Sequence, residues 1–174
     1  SKSNLLFGST GPLVSTAASN VAVGFQSMGA VLSTGTSNVC VGVSAGTAIT
    51  SGSNNVAVGA GACNHVSSSN NNVGVGNNAC GAVSTGNGNN IGIGASACLS
   101  VTTGERNICI GLNSGNQLSS TESSNIYINH VGVTAESNKI RIGTVGSGAG
   151  QQNQAFIAGI TGVTAAGSPV AVSS

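Results

Sequence analysis

The chain has 174 residues, only 4% of them charged and with a formal net charge of +1, against roughly 25% charged residues in ordinary globular domains. With no Asp, no Trp, one Tyr and three Phe, it cannot build a conventional core of large side chains. It also has no basic patch to neutralise phosphates, which argues against nucleic acid as a partner. No apolar run approaches the roughly 18 residues of a membrane helix, and direct membrane insertion of this stretch is not expected.

Residues 1–19 read as a degenerate N-terminal repeat, and no secretory leader pattern stands at Ser1. From Asn20 one five-residue frame recurs: Asn, apolar, small, apolar, Gly. It occurs as Asn20-Val-Ala-Val-Gly24, Asn38-Val-Cys-Val-Gly42, Asn55-Val-Ala-Val-Gly59, Asn72-Val-Gly-Val-Gly76, Asn90-Ile-Gly-Ile-Gly94 and Asn107-Ile-Cys-Ile-Gly111. A seventh copy, Asn125-Ile-Tyr-Ile-Asn129, loses the glycine. The leading asparagines step by 18, 17, 17, 18, 17 and 18 residues. So regular a period means one structural unit copied along an axis.

Each frame predicts a short β segment, and the Gly-, Ser- and Thr-rich remainder of the repeat predicts corners. Connectors such as Val31-Leu-Ser-Thr-Gly35, Val83-Ser-Thr-Gly86 and Val101-Thr-Thr-Gly104 end in turn signals. Asn at the repeat start suits a corner, and stacked Asn side chains can form hydrogen-bonded ladders between rungs. Seventeen residues make one coil of a narrow parallel β-solenoid. At about 4.8 Å per rung, seven or eight rungs give a rod of roughly 35–40 Å. The fold class is therefore all-β, with repeats over 20–143 and a closing segment over 144–174.

Alternate strand residues face opposite sides. One side carries Val or Ile in every copy, such as Val21 and Val23 or Ile91 and Ile93; the other carries Ala22, Cys40, Ala57, Gly74, Gly92 and Cys109. Small residues suit the cramped inside of a thin coil, which sends the β-branched ones outward. A long outward Val/Ile stripe marks an interface, and several copies of the chain are expected to associate along it, most simply three. The inverse assignment, with large residues inside, would weaken that argument.

The pentapeptide copies over about residues 20–143 resemble the head repeats of trimeric autotransporter adhesins. Asn138-Lys-Ile-Arg-Ile-Gly143, followed by Gln151-Gln-Asn-Gln-Ala-Phe-Ile-Ala-Gly-Ile160, resembles the segment that closes such rolls in bacterial and viral fibres. Similar rolls occur in phage tail fibres and in trimeric fibres of predatory bacteria. The resemblance implies a left-handed parallel β-roll assembled as a homotrimer, outside a cell or on a virion. The implied function is multivalent attachment to a glycan or an envelope protein of a target cell. The sequence is expected to be a piece of something longer, and neither a signal nor a membrane-anchor barrel is read in this piece. A shaft or spacer without a ligand is the alternative, and an ice-binding solenoid a distant third, because Thr34, Thr50, Thr85 and Thr103 sit in turns with imperfect register.

Chemistry is sparse. Cys40, Cys63, Cys80, Cys98 and Cys109 read as small interior filler. No Cys-x-x-Cys pair suggests a metal, and in-register side chains pointing in parallel make poor disulfides. The chain's ionisable residues include His65 and His130 and the three carboxylates Glu105, Glu122 and Glu136. They assemble no hydrolytic triad, so neither catalytic residues nor a cofactor are expected. Glu105 and Arg106 read as a solvated corner. Gly74-Val-Gly76 and Gly92-Ile-Gly94 open no helix and fail as nucleotide loops. Past Asn125 the spacing drops to 13, and Tyr127, His130, Lys139, Arg141 and Phe156 appear. Tyr127, His130, Lys139 and Arg141 are the candidate ligand contacts; the competing reading is that this region caps the open end of the solenoid.

Overall fold

In the computed structural model, which describes residues 3–8, 17–29, 34–86 and 88–144, every repeat contributes one three-residue strand. These are β1 (Leu5–Phe7), β2 (Val21–Val23), β3 (Val39–Val41), β4 (Val56–Val58), β5 (Val73–Val75), β6 (Ile91–Ile93), β7 (Ile108–Ile110), β8 (Ile126–Ile128) and β9 (Ile140–Ile142). They form a single parallel sheet in chain order, a β-solenoid of about seven turns. The strand centres Leu6, Ala22, Cys40, Ala57, Gly74, Gly92, Cys109, Tyr127 and Arg141 stand in one column. Part of the 31–35 connector, and Phe156 with the rest of the Gln151–Ile160 segment, lie outside the described residues.

Three residues per rung bury little on their own. Outside the strands, however, the backbone also bonds from rung to rung. The Gly61 N–H donates to the Val43 carbonyl (2.9 Å), Cys63 to Ala79 (2.9 Å), and Ser67 to Ser84 (3.2 Å). This answers the requirement that buried backbone groups be paired, without long strands. The corners between are left-handed at three recurring positions: just before the leading Asn, and two and four residues after the repeat Gly. Asn71 (φ 57°), Asn78 (φ 53°) and Cys80 (φ 51°) show the pattern around β5. Asn tolerates this region; Cys and Arg106 (φ 57°) do so only because the ladders on either side hold them. The leading Asn is therefore not itself the corner, which falls one residue earlier. The repeat Gly has a different reason. Gly76 has φ +135°, and a Cβ there would lie 2.6 Å from the backbone of Gly94 in the next rung. At this column backbone packs directly on backbone.

The strand-centre residues from Ala22 to Tyr127 are buried, while Val58 and Ile93 remain 37% and 41% exposed. Small residues point in and β-branched ones point out, the first of the two orientations. The interior is completed by a column of Ile49, Val66, Val83, Val101 and Leu118, all fully buried. Each contributes roughly 1.5–3 kcal/mol by leaving water. At the ends the structure alters the sequence reading. Asn4 begins a first rung 16 residues before Asn20. At the last rung Lys139, not Asn138, takes the ladder position: Ile126 pairs with Ile140, a step of 14 rather than 13.

Candidate functional site

The leading asparagines are buried and form a continuous ladder. Asn55 donates both its backbone N–H (2.9 Å) and its Nδ2 (3.1 Å) to Oδ1 of Asn38; Asn72 does the same to Asn55 at 2.9 and 3.0 Å. The pattern runs from Asn4 to Asn125 and ends where the Lys139 N–H donates to Asn125 Oδ1 at 3.0 Å. The remaining Nδ2 hydrogen ties the strand start to the far corner of the same coil, as from Asn38 to the Gly52 carbonyl (2.8 Å) or from Asn90 to Gly104 (2.8 Å), except at Asn72, where it goes to Ser69 Oγ (3.0 Å). Every donor and acceptor of each interior amide is used, so the ladder is structural and offers nothing to solvent.

The cysteines lie on the same interior. Cys40, Cys63 and Cys80 are buried free thiols. Burial, helped by neighbouring Cys63, pushes the Cys40 thiol up to about 12. Hydrogen bonding with Cys63, and then burial, raises Cys80 as well. Both stay protonated and unreactive at neutral pH. The corner cysteines fit the strand centres of the following rung. A Cβ on Gly74 would lie 2.7 Å from Cys63 Sγ, and one on Gly92 2.7 Å from Cys80 Sγ. Glycine stands at those centres because sulfur occupies the space.

At the next rung the facing residue is Cys109 instead of glycine, and Cys98 and Cys109 form a disulfide with their Cα atoms 5.7 Å apart. This corrects the reading of all five cysteines as filler. Parallel stacking is the wrong geometry for this pair, since Cys98 is at a corner and Cys109 at a strand centre. They face each other across the interior.

Outside, the half-exposed Val and Ile residues of successive strands form a stripe along the sheet. It extends into the exposed Leu5 and Phe7 at one end and Ile140 and Ile142 at the other. Phe25, Val43 and Leu112, each directly after a repeat Gly, are exposed beside it. Thr50 Oγ1 donates to the Ser67 carbonyl (3.2 Å) and Thr102 Oγ1 to Ser120 (3.3 Å). These two hydroxyls of the connector column are thus spent between rungs.

The ionisable residues gather after residue 120. Glu122 is buried, and its carboxylate accepts from the Ser119 N–H and Oγ (2.7 Å), the Ser120 N–H (2.9 Å) and the Ala135 N–H (2.8 Å). One rung earlier, Thr102 and Thr103 donate to the Ser120 carbonyl. Past Ser120 the short last coil offers no equivalent carbonyl, and the carboxylate takes its place. Burial opposes the charge, but the hydrogen bonds from Ser119, Ser120 and Ala135 outweigh it and hold the carboxyl down to about 2.

The four candidate contacts occupy different places. Tyr127 is inside the core at the β8 centre, its ring stacked on His130 (centroids 5.9 Å) and its hydroxyl pointing at Glu136 Oε1 (3.4 Å). Burial first, and then the Glu136 charge, pushes its hydroxyl up to about 12. Arg141 clamps Glu136 through two bonds, Nε to Oε1 at 2.8 Å and Nη2 to Oε2 at 2.7 Å. His130 Nδ1 accepts the Gly132 N–H (2.9 Å); burial and the Arg141 charge lower its pKa. Lys139 is exposed. The structure thus brings Tyr127, His130 and Arg141 together around Glu136, which the sequence reading left out, and leaves Lys139 at the rim.

Elsewhere, His65 Nδ1 lies 2.9 Å from Asn64 Oδ1 and 3.0 Å from the Gly81 carbonyl, and Arg106 makes an exposed 3.2 Å pair with Glu105. Among the described residues no group of three or more His, Cys, Asp or Glu could hold a metal ion, and no helix is long and apolar enough to cross a membrane. Compared with models of protein families, with curated proteins and with solved structures, the chain matches none.

Proposed function

We propose that this chain is the β-roll head of a homotrimeric extracellular fibre, wound left-handed like the adhesin heads its repeats resemble. It attaches to a glycan or envelope protein on a target cell. The observation that carries the reading is the outward Val/Ile stripe. An otherwise nearly uncharged rod, with small residues inside and a continuous apolar strip outside, has its best use for that strip in contact with copies of itself. Three identical copies give avidity even where each contact is weak. The Cys98–Cys109 disulfide suits an oxidising, exported environment.

Two measurements test the reading. Light scattering should give about 50 kDa, three times the 16.5 kDa chain, and Ile93→Asp should reduce the mass to that of one chain. A wild-type monomer sinks the trimer. Saturable binding to target cells should then be present in the trimer and weakened at least tenfold in the dissociated variant. A trimer with no saturable binding reduces the role to a spacer.

A further inference from the structure

Four of the seven charged residues in the chain, Glu122, Glu136, Lys139 and Arg141, fall within twenty residues of one another, together with the only Tyr and one of the two His. They surround the turn from Asn129 to Thr144. That turn does rest on the coil above through uncharged bonds: Asn125 Nδ2 donates to the Glu136 carbonyl (2.8 Å), and the Gly115 N–H to the His130 carbonyl (2.9 Å). Its shape, however, depends on groups that titrate. Glu122 holds the Ala135 N–H (2.8 Å), His130 Nδ1 holds the Gly132 N–H (2.9 Å), and Glu136 holds Arg141 and receives the Tyr127 hydroxyl. Each of these roles needs the unprotonated form.

We propose that residues 129–144 form an acid-released clasp. Protonation of Glu122, Glu136 and His130 detaches this last turn from the coil above, uncovering Tyr127 and the open edge of β8, while the asparagine-laddered coils stay folded.

The three groups act in the same direction. Glu122 is held down to about 2 from an ordinary 4.5, so its contribution is complete above pH 4.5 and is lost as the pH falls toward 2. Glu136 is lowered by hydrogen bonding to Arg141, with help from the charge of Lys139, and loses its contribution over the same direction of change. His130 is lowered by burial and by Arg141, while Glu136 raises it; its contribution is complete above 6.5 and falls away below. Once both carboxylates are neutral, His130 and Arg141 leave like charges beside the phenol of Tyr127, with Lys139 at the rim. The asparagine ladder has no proton to gain in this range.

Tyr127 is the only Tyr in a chain without Trp, so its fluorescence reports on the clasp alone. Acrylamide quenching of Tyr127 in the full chain, followed from pH 7 to 2.5, should rise several-fold. The far-ultraviolet dichroism of the sheet should persist to lower pH. Glu122→Gln keeps the size but removes the charge and one acceptor. It should raise quenching already at pH 7 and remove the lowest-pH part of the wild-type rise. Quenching that stays flat to pH 2.5 overturns the clasp. So does a single midpoint shared by Tyr127 and the sheet, or a Glu122→Gln protein as closed as wild type at pH 7.

Discussion

In the coils from Asn38 to Asn107, each ladder amide donates to the amide of the preceding rung and accepts from the rung that follows, and its other hydrogen goes to a carbonyl of its own coil or, at Asn72, to Ser69 Oγ. After Asn125 these duties pass to carboxylates: Glu122 takes N–H groups that a further coil would have received, and Glu136 anchors Arg141 over the Tyr127 phenol. The difference comes from neighbours. An interior coil is satisfied by identical backbone above and below. The coil from Asn107 meets a shortened turn instead, 14 residues from Asn125 to Lys139, and needs side chains with several acceptors on one short stem. Neutral repetition serves the middle, where the one charged pair, Glu105 with Arg106, lies at the surface; among the described residues the buried charge, costly and rare, is Glu122 at the end.

The contrast can be broken most severely in the middle. Gly76→Ala forces a Cβ to within 2.6 Å of Gly94 at a φ of +135°. We expect a loss above about 4 kcal/mol and a split of the thermal transition into separate segments. Asn72→Leu leaves the Asn90 N–H and Nδ2 without their acceptor inside the core and should cost about 3 kcal/mol in denaturant unfolding. Replacing Cys98 and Cys109 by Ser and Ala removes a cross-rung link and should cost about 2–3 kcal/mol, an effect that vanishes when wild type is compared under reducing conditions. Arg106→Ala, at the exposed pair with Glu105, should change stability by no more than about 0.5 kcal/mol. An equal cost at Asn72 and Arg106 would refute the ladder as the main support.

Much of the middle was legible because a period of 17–18 aligns every strand once one is placed. The centres Ala22, Cys40, Ala57, Gly74, Gly92 and Cys109 follow from alternation alone. What was missed depends on contacts between different positions of adjacent coils. The Cys98–Cys109 pair is 11 residues apart, a spacing that no stacking rule picks out; the Cys63–Gly74 and Cys80–Gly92 exchange of volume was its only trace. The first rung was read only as a degenerate repeat over residues 1–19 and not placed on Asn4, because Asn4 leads Leu-Leu-Phe, with no small residue at the centre. Glu122 gave no signal because its role is to replace a carbonyl that only the completed end shows to be missing.

The ladder has one more consequence. Each asparagine presents the same donors toward one end of the rod and the same acceptor toward the other, so at this column every interior coil offers its neighbours the same partner. A gene segment encoding one coil could be duplicated or deleted in place without breaking the ladder, provided the cysteine matches between neighbouring coils are kept. The reach of the rod can thus change in steps of about 4.8 Å, with copy number as its ruler and both ends untouched.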